Sequence, residues 1–500
     1  MIDLPDGWAG GVLSEFIKPR GERVSPSSFP NLPFIGMDHV EAHTTRILGS
    51  VPASELKSTS ARFFKDDVLY GRLRPYLNKV AQPKFDGLAS AEFIVFSGNE
   101  LIDPAFLRHR INAKDFVTFA SSLDAGDRPR VNFDQVGTFE VLVPPLNEQR
   151  RIVEKIEAMF DEIDRGVKSL EAARNGLSLY RQSLLKSAFE GNLTADWRAQ
   201  NADKLEPPET LLARIRDERL ARHMAELDEW EAYVAEWKAT GEQGKKPSKP
   251  KPKADFEFHS TKHVLPWPSV QVRAILSAPL INGRSVKDKA GGFPVLRLTS
   301  LKRGKIILTE SKDGNWTEDE ARPFLVEQDD IFLARGNGSK KLVGLAGRVM
   351  DKPPRVAFPD TMIRIRLDTN TTRPDYFILV WNSWTLRSQI EAAARTTAGI
   401  YKINQDHVSG FLIPLPCLRE QSEIVRILDA KLEAADNLDA EIDTALAHAD
   451  ALRQSILKEA FSGQLVPQDP NDEPASALLE RIKAEQAKAP RAGRKRKVSA

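Results

Sequence analysis

From Ile156 onward, apolar residues return in alternating steps of four and three: Phe160, Ile163, Val167, Leu170, Leu177, Leu184 and Ala188. This is the spacing of a heptad seam on one face of a helix. Arg174 and Arg181 interrupt it. A second stretch has the same pattern at Leu428, Leu432, Ala435, Ile442, Leu446, Ala449, Ile456 and Ala460, broken by Asp439 and Arg453. Neither stretch contains proline, and Gly191 and Gly463 follow as stop signals. Each predicts a helix of about 40 residues, or roughly 60 Å at 1.5 Å per residue. Such a seam needs a partner to bury it. The other stretch of the same chain is the nearest one, and pairing between two chains is the alternative.

Outside these stretches the pattern changes. Short β-rich runs such as F-I-V-F at Phe93, I-R-I-R-L at Ile363 and F-L-I-P-L at Phe411 lie between Gly, Pro, Asn and Asp turns. Between them, D-P-A-F-L-R-H-R-I and R-P-D-Y-F-I-L-V-W read as helices. The mixture predicts two α+β domains. Residues 206–239 form a charged helix with Trp230 and Trp237, and G-K-K-P-S-K-P-K-P-K after it has the composition of an extended, solvated linker.

The chain is also a repeat. Residues 131–193 align with 403–465 without a gap, at a constant offset of 272 and with 22 identities in 63 positions. V-N-F-D-Q-V answers I-N-Q-D-H-V, P-P-L-N-E-Q answers P-C-L-R-E-Q, and R-Q-S-L-L-K-S-A-F-E-G answers R-Q-S-I-L-K-E-A-F-S-G. Fainter echoes pair L-P-D-G-W at Leu4 with L-P-W at Leu265, and K-D-D-V-L-Y-G-R at Lys65 with Q-D-D-I-F-L-A-R at Gln328. The chain is two copies of one unit whose globular parts have diverged most.

Composition narrows the class. A chain of 500 residues, 41% hydrophobic and 28% charged, has ample material for several cores. The single cysteine, Cys417, excludes an internal disulfide, suits a reducing cytoplasm and reads as a small packed residue. No apolar run reaches the length of a membrane span, and M-I-D-L-P-D-G-W has no signal pattern, so a soluble cytoplasmic protein is expected. Net charge is only +2, but it is unevenly spread: about −2 over residues 1–145 and about +7 over 264–416. A basic domain is a candidate for phosphate contact.

Catalytic equipment is missing from the pattern. R-G-N-G-S-K-K at Arg335 has the wrong spacing for a phosphate loop. No G-x-G-x-x-G follows a strand, and no N-P-P-Y or D-P-P-Y is present. His259 and His263 stand four apart without a nearby cysteine, so neither a metal site nor a catalytic residue is assigned.

Two unlike α+β domains, each followed by a near-identical long helix, resemble the specificity subunits of type I restriction-modification systems. The carrying motifs are the P-P-L-N-E-Q and P-C-L-R-E-Q starts, the R-Q-S-[LI]-L-K ends, and the D-D-V-L-Y-G-R-L-R-P-Y-L-N-K and D-D-I-F-L-A-R-G-N-G-S-K-K segments. The resemblance implies two target-recognition domains in a pseudo-two-fold arrangement, joined by two long antiparallel coiled-coil helices. Its divisions here would be 1–145 and 264–416 for recognition, 146–193 and 417–465 for the spacer helices, 194–263 for the charged helix and linker, and 466–500 for a helical segment and a basic tail. It further implies a bipartite, asymmetric double-stranded DNA site, held with two modification (methyltransferase) subunits and two restriction subunits. S-adenosylmethionine, ATP and Mg would belong to those partners, and this chain would hold no cofactor. The slightly acidic first domain and the tryptophan-bearing insert depart from the family pattern.

Candidate DNA contacts come from basic, Gly-rich turns. In the first domain they are Arg72, Arg74, Asn78, Lys79, Arg128 and Arg130; in the second, Arg335, Asn337, Ser339, Lys340, Lys341, Tyr401 and Lys402. A stand-alone two-headed DNA binder and a coiled-coil scaffold that binds no DNA are the rival readings.

Overall fold

The computed structural model describes residues 4–124, 126–241, 246–250, 258–259, 265–397 and 399–488. His263 and the basic tail lie outside them. The longer helices are α1 (Pro104–Asn112), α2 (Lys114–Ser122), α3 (Leu146–Phe189), α4 (Pro208–Ala239), α5 (Pro374–Trp381), α6 (Trp384–Ala393), α7 (Leu418–Phe461) and α8 (Ala475–Lys488). The strands that matter below are β1 (Val68–Gly71), β2 (Val80–Ala81), β3 (Phe93–Phe96), β4 (Ile331–Ala334), β5 (Gly336–Asn337), β6 (Ala346–Arg348), β7 (Met362–Ile365), β8 (Arg395–Thr397) and β9 (Ile400–Lys402). The chain divides into two compact units: Met1–Ala172 with Glu441–Ala500, and Ala173–Ala440. Each unit therefore holds one globular domain and part of each long helix.

In the first unit, β2, β1 and β3 form an antiparallel sheet. Its side chains alternate between two cores. Val68, Tyr70, Val80 and Phe96 join the helical side with Leu107 of α1, Phe116 of α2 and Leu478 of α8. Leu69, Ala81, Phe93 and Val95 face Ile35 and Phe63 of a five-stranded sheet. Burial on both faces is why V-L-Y-G and F-I-V-F show no polar alternation. The second unit repeats the device. Ile331, Leu333, Ile363 and Ile365 join Tyr376 and Trp381 of α5, while Phe332 and Met362 turn to the opposite core. Here β7, β4 and β6 sit in a six-stranded sheet.

The paired aspartates before β1 and β4 have a structural role. Asp66 and Asp329 take the left-handed turn, with φ of 68° and 67°. Asp67 accepts the Phe64 backbone N–H at 2.8 Å and the Arg20 guanidinium at 2.9 and 3.1 Å. Asp330 accepts the Glu327 N–H at 2.8 Å and Arg366 at 2.6 and 3.1 Å.

Both long helices run 44 residues. In the first unit Ile156 and Ile456 are buried in one cluster, with Phe160 and Ile163 half-buried against it. Ile442 is also buried there, and Val167, Leu170, Leu446 and Ala449 are half-buried. In the second unit Leu184 and Leu428 are buried in one core beside half-buried Leu432; Ala435 is buried and Leu177 half-buried. The polar interruptions are ion pairs across the helix pair. Arg453 pairs with Asp164 in the first unit. In the second, Arg181 reaches Asp436 at 2.7 Å and Arg174 reaches Asp439 at 3.2 Å. Arg181 and Arg453 are equivalent at offset 272, and so are Asp164 and Asp436. One duplicated Arg–Asp pair thus forms once in each unit, which only antiparallel pairing allows.

The linker holds one surprise. Its Pro247 carbonyl accepts the Trp230 indole N–H at 3.1 Å, and the Lys249 ammonium lies 5.4 Å from the Trp230 ring centre. This part of the linker is docked on α4 rather than solvated throughout, because a tryptophan offers both a donor and a cation-binding face.

Candidate nucleic-acid interface

Each domain must be held firmly on its helix if it is to present a surface. The E-Q pair at each helix start does this. Glu148 is buried and accepts the Trp8 indole N–H at 3.0 Å. Gln149, fully buried, donates to the carbonyls of Leu101 at 2.7 Å and Pro144 at 2.9 Å and accepts the Asp103 N–H at 2.8 Å. In the second unit Glu420 accepts Trp267 at 2.7 Å, and also Thr194 and Arg198 at 2.7 and 2.8 Å. Gln421 donates to the carbonyls of Thr371 and Pro416, both at 2.8 Å, and accepts the Arg373 N–H at 2.8 Å. A glutamine supplies two donors and an acceptor, which matches both loops. Burial pushes the Glu148 carboxyl up from its ordinary value, against the Trp8 hydrogen bond. The first domain also docks through α1. Burial pushes the His109 imidazole down. The His109 ring nitrogen, 3.9 Å away, and the Arg108 guanidinium hold Glu157 down at about 2.

From that footing β1 and β4 deliver equivalent arginines into two different loops. The Arg72 N–H donates to the Glu92 carbonyl and its own carbonyl accepts the Val131 N–H, at 2.9 and 3.0 Å. The Arg335 N–H donates to Thr361 and its carbonyl accepts Ile403, again at 2.9 and 3.0 Å. The backbone frame is the same; the side chains are not.

In the first domain Arg72 lies 3.6 Å from Glu92, and Arg130 pairs with the same carboxylate. Asn78 is buried, donating to Asn112 Oδ1 at 2.6 Å, and Lys79 donates to the Met37 carbonyl. These four are engaged inside the domain. Arg74 and Arg128 are exposed. Arg74 and Asn78 both have left-handed φ, 52° and 43°, and bracket a single turn, Pro75–Leu77. Such a conformation costs a residue with a Cβ roughly 1–2 kcal/mol, and here it turns Tyr76 outward, 47% exposed. Sequence reasoning passed over Tyr76, although the R-P-Y-L turn was its signal.

In the second domain Arg335 is half-buried and donates to the Asp360 carbonyl at 3.4 Å. Asn337 accepts the Ser339 N–H at 2.9 Å, shaping a turn on which Ser339, Lys340 and Lys341 are exposed. Arg387 of α6 braces this turn by donating to the carbonyls of Val343 at 2.7 Å and Lys341 at 3.0 Å. Strand β5 continues into a sheet with β9 and β8. Lys402 is exposed there, whereas Tyr401 is half-buried and packs on the core. The structure thus brings all seven second-domain candidates to one loop and sheet edge, and adds Arg395 and Arg387, which sequence reasoning did not select. Among the described residues no cluster of three or more His, Cys, Asp or Glu could hold a metal ion, and no helix is long and apolar enough to cross a membrane.

Comparison with known proteins places these features. A family description, Type I restriction modification DNA specificity domain, matches residues 30–172 and 278–446. The chain is 26% identical over 417 residues to the type I restriction enzyme EcoKI specificity subunit of Escherichia coli (strain K12), covering 81% of this chain and 75% of that protein. It is 25% identical over 511 residues to the StySPI specificity subunit of Salmonella potsdam, covering 97% and 96%. Among solved structures, a chain from a study of complex assembly and conformational transition of the type I R-M system aligns with a TM-score of 0.64 at 19% identity, covering 93% of this chain and all of that one. The HsdS subunit from Thermoanaerobacter tengcongensis aligns with a TM-score of 0.50 at 20% identity, covering 92% and 98%. These two likenesses concern the fold.

Proposed function

The chain belongs to the type I restriction-modification DNA specificity family, and from that premise we propose that it reads a bipartite, asymmetric double-stranded DNA site and directs adenine methylation and restriction carried out by partner subunits. One observation carries the reading: a single anchoring scheme, Glu148–Gln149 and Glu420–Gln421, is built twice beneath loops whose side chains differ. Equal scaffolds suit two copies of one partner, and unequal loops suit two different half-sites.

Two modification subunits and two restriction subunits are the partners of this reading. S-adenosylmethionine, ATP and Mg are bound by them, and this chain contributes no catalytic group. The work is done in the cytoplasm, where the DNA lies. Arg74 and Arg128 are the candidate contacts of the first domain, and Arg335, Asn337, Ser339, Lys340, Lys341 and Lys402 those of the second. Phosphate contacts would set position while base-edge contacts set sequence.

Mapping methylated adenines in a host that expresses the chain with its modification partner tests the proposal. The expected pattern is two short specified blocks separated by an unspecified spacer. One contiguous block, or no methylation that depends on this chain, overturns it.

A further inference from the structure

The hairpin β8–β9 of the second domain places like charges face to face. Its antiparallel register sets Arg395 directly opposite Lys402, Thr396 opposite Tyr401, and Thr397 opposite Ile400. On its other edge β9 pairs with β5, so that Lys402 also faces Gly336 and Tyr401 faces Asn337. Facing residues share one side of a sheet. Gly336, Lys402 and Arg395 therefore form a row on one side, with Ile400 on that same side, and Tyr401 and Asn337 lie on the other.

The two sides differ in surroundings. Tyr401 packs on the domain core, which makes its side the inner one. Arg395, Lys402 and Ile400 are exposed. A Cβ at Gly336 would come within 3.3 Å of the Lys402 Cγ, so the glycine gives the lysine stem room to lie across the strand.

Two cations directly opposite each other destabilise a hairpin, and no described carboxylate pairs with either of them. The neighbouring turn adds Lys340 and Lys341, held in place by Arg387. A surface that concentrates unbalanced positive charge on a narrow ribbon is built for an anion outside the chain. A two-stranded ribbon fits the major groove, where an apolar side chain such as Ile400 can meet a thymine methyl.

The matching stretch of the first domain, between α2 and Val131, is organised differently. It forms a turn in which Arg130 is paired with Glu92. Asp124 accepts the Gly126 and Arg130 N–H groups at 3.0 and 2.7 Å. Arg130 is thus met by a carboxylate of a neighbouring segment, and Arg128 is the exposed cation of that stretch.

Resting on the DNA-specificity reading, we propose that the β8–β9 ribbon enters a groove of duplex DNA with Arg395 and Lys402 as its phosphate-contacting pair, giving the second domain an electrostatic grip that the equivalent turn of the first does not have. The test uses the full chain with its modification partner and a mixed-sequence duplex long enough to span both half-sites. Affinity is measured against salt for the natural protein, for Arg395→Gln with Lys402→Gln, and for the charge-preserving exchange Arg395→Lys with Lys402→Arg. Each lost phosphate contact lowers the steepness of log affinity against log salt by about 0.9. The neutral variant is expected to lose about 1.8 from the slope, to keep or raise its melting temperature because the repulsion is relieved, and to retain the partner. The charge-preserving variant is expected to keep the natural slope.

An unchanged slope in the neutral variant overturns the proposal while leaving the DNA reading intact. A lowered melting temperature with loss of binding assigns the pair a structural role and also overturns it. Loss of the partner with an unchanged slope makes the ribbon a protein contact, which overturns it as well. A natural protein with no salt-dependent affinity for DNA sinks the DNA reading itself, and the ribbon's role with it.

Discussion

Gln149 and Gln421 show how much one side chain can organise when every polar atom it carries is used. Each is fully buried, and each ties the start of a long helix to two carbonyls and one N–H of its domain. A buried group stripped of its partner costs about 1–3 kcal/mol. Gln149→Leu strands three such groups at once and is expected to lower the unfolding midpoint clearly, where Gln149→Glu keeps only the acceptor and falls between. A melting curve unchanged by Gln149→Leu would show that the contact holds nothing. The α1 docking site makes a prediction about pH. His109 is pushed down by burial, and Glu157 by the His109 ring nitrogen and the Arg108 guanidinium. Both folded values are depressed, so their stabilisation is complete above the unfolded values, near 6.5 and 4.5. It is lost as pH falls, first through the histidine range and then from about 4.5 toward about 2. Thermal unfolding should therefore weaken between pH 7 and 5, and His109→Asn should flatten that limb.

At the scale of elements, a heptad seam by itself specifies burial but not direction or register. The polar breaks supply both. Arg181 faces Asp436 only in one antiparallel register, and the duplicated pair Arg453–Asp164 obeys the same one. Asp436 is largely exposed, so the pair is worth at most about 0.5–1 kcal/mol. Its value lies in selecting the register. Arg181→Asp should destabilise the protein, because it joins Asp436 and Asp439 in a like-charged group. Adding Asp436→Arg should restore most of the loss, and a double-mutant cycle in calorimetry measures the recovery. Purely additive effects would remove the pair from the account of pairing.

For the whole molecule the consequential feature is asymmetry within repetition. Equivalent backbone frames around Arg72 and Arg335 carry unequal side chains: the first folds Arg72 and Arg130 onto Glu92 and exposes Arg74 and Arg128, while the second leaves Arg335 half-buried and exposes Lys340, Lys341 and Lys402. Under the proposed function, a change in one loop should alter one half of the DNA site. Arg335→Ala is expected to weaken binding by about 1–3 kcal/mol or relax a single position in one half-site, with the other half read as before. Methylation mapping of the variant decides this, and relaxation of both halves together would contradict separate reading.

Much of this was legible in the chain itself. Periodicity, the offset of 272 and the absence of proline identify the two long helices, because a seam must recur at fixed spacing to be buried at all. The D-D, E-Q and R-Q-S motifs mark where the copies correspond. What each loop residue does was decided only in three dimensions. Arg72, Asn78 and Arg130 belong to the same basic turns as Arg74 and Arg128, yet partners distant in sequence, Glu92 and Asn112, engage the first three. Arg395 gains its meaning from Lys402, which faces it across a hairpin. Local pattern determines which surfaces a segment must bury; whether an exposed charge is already neutralised depends on what the fold sets beside it.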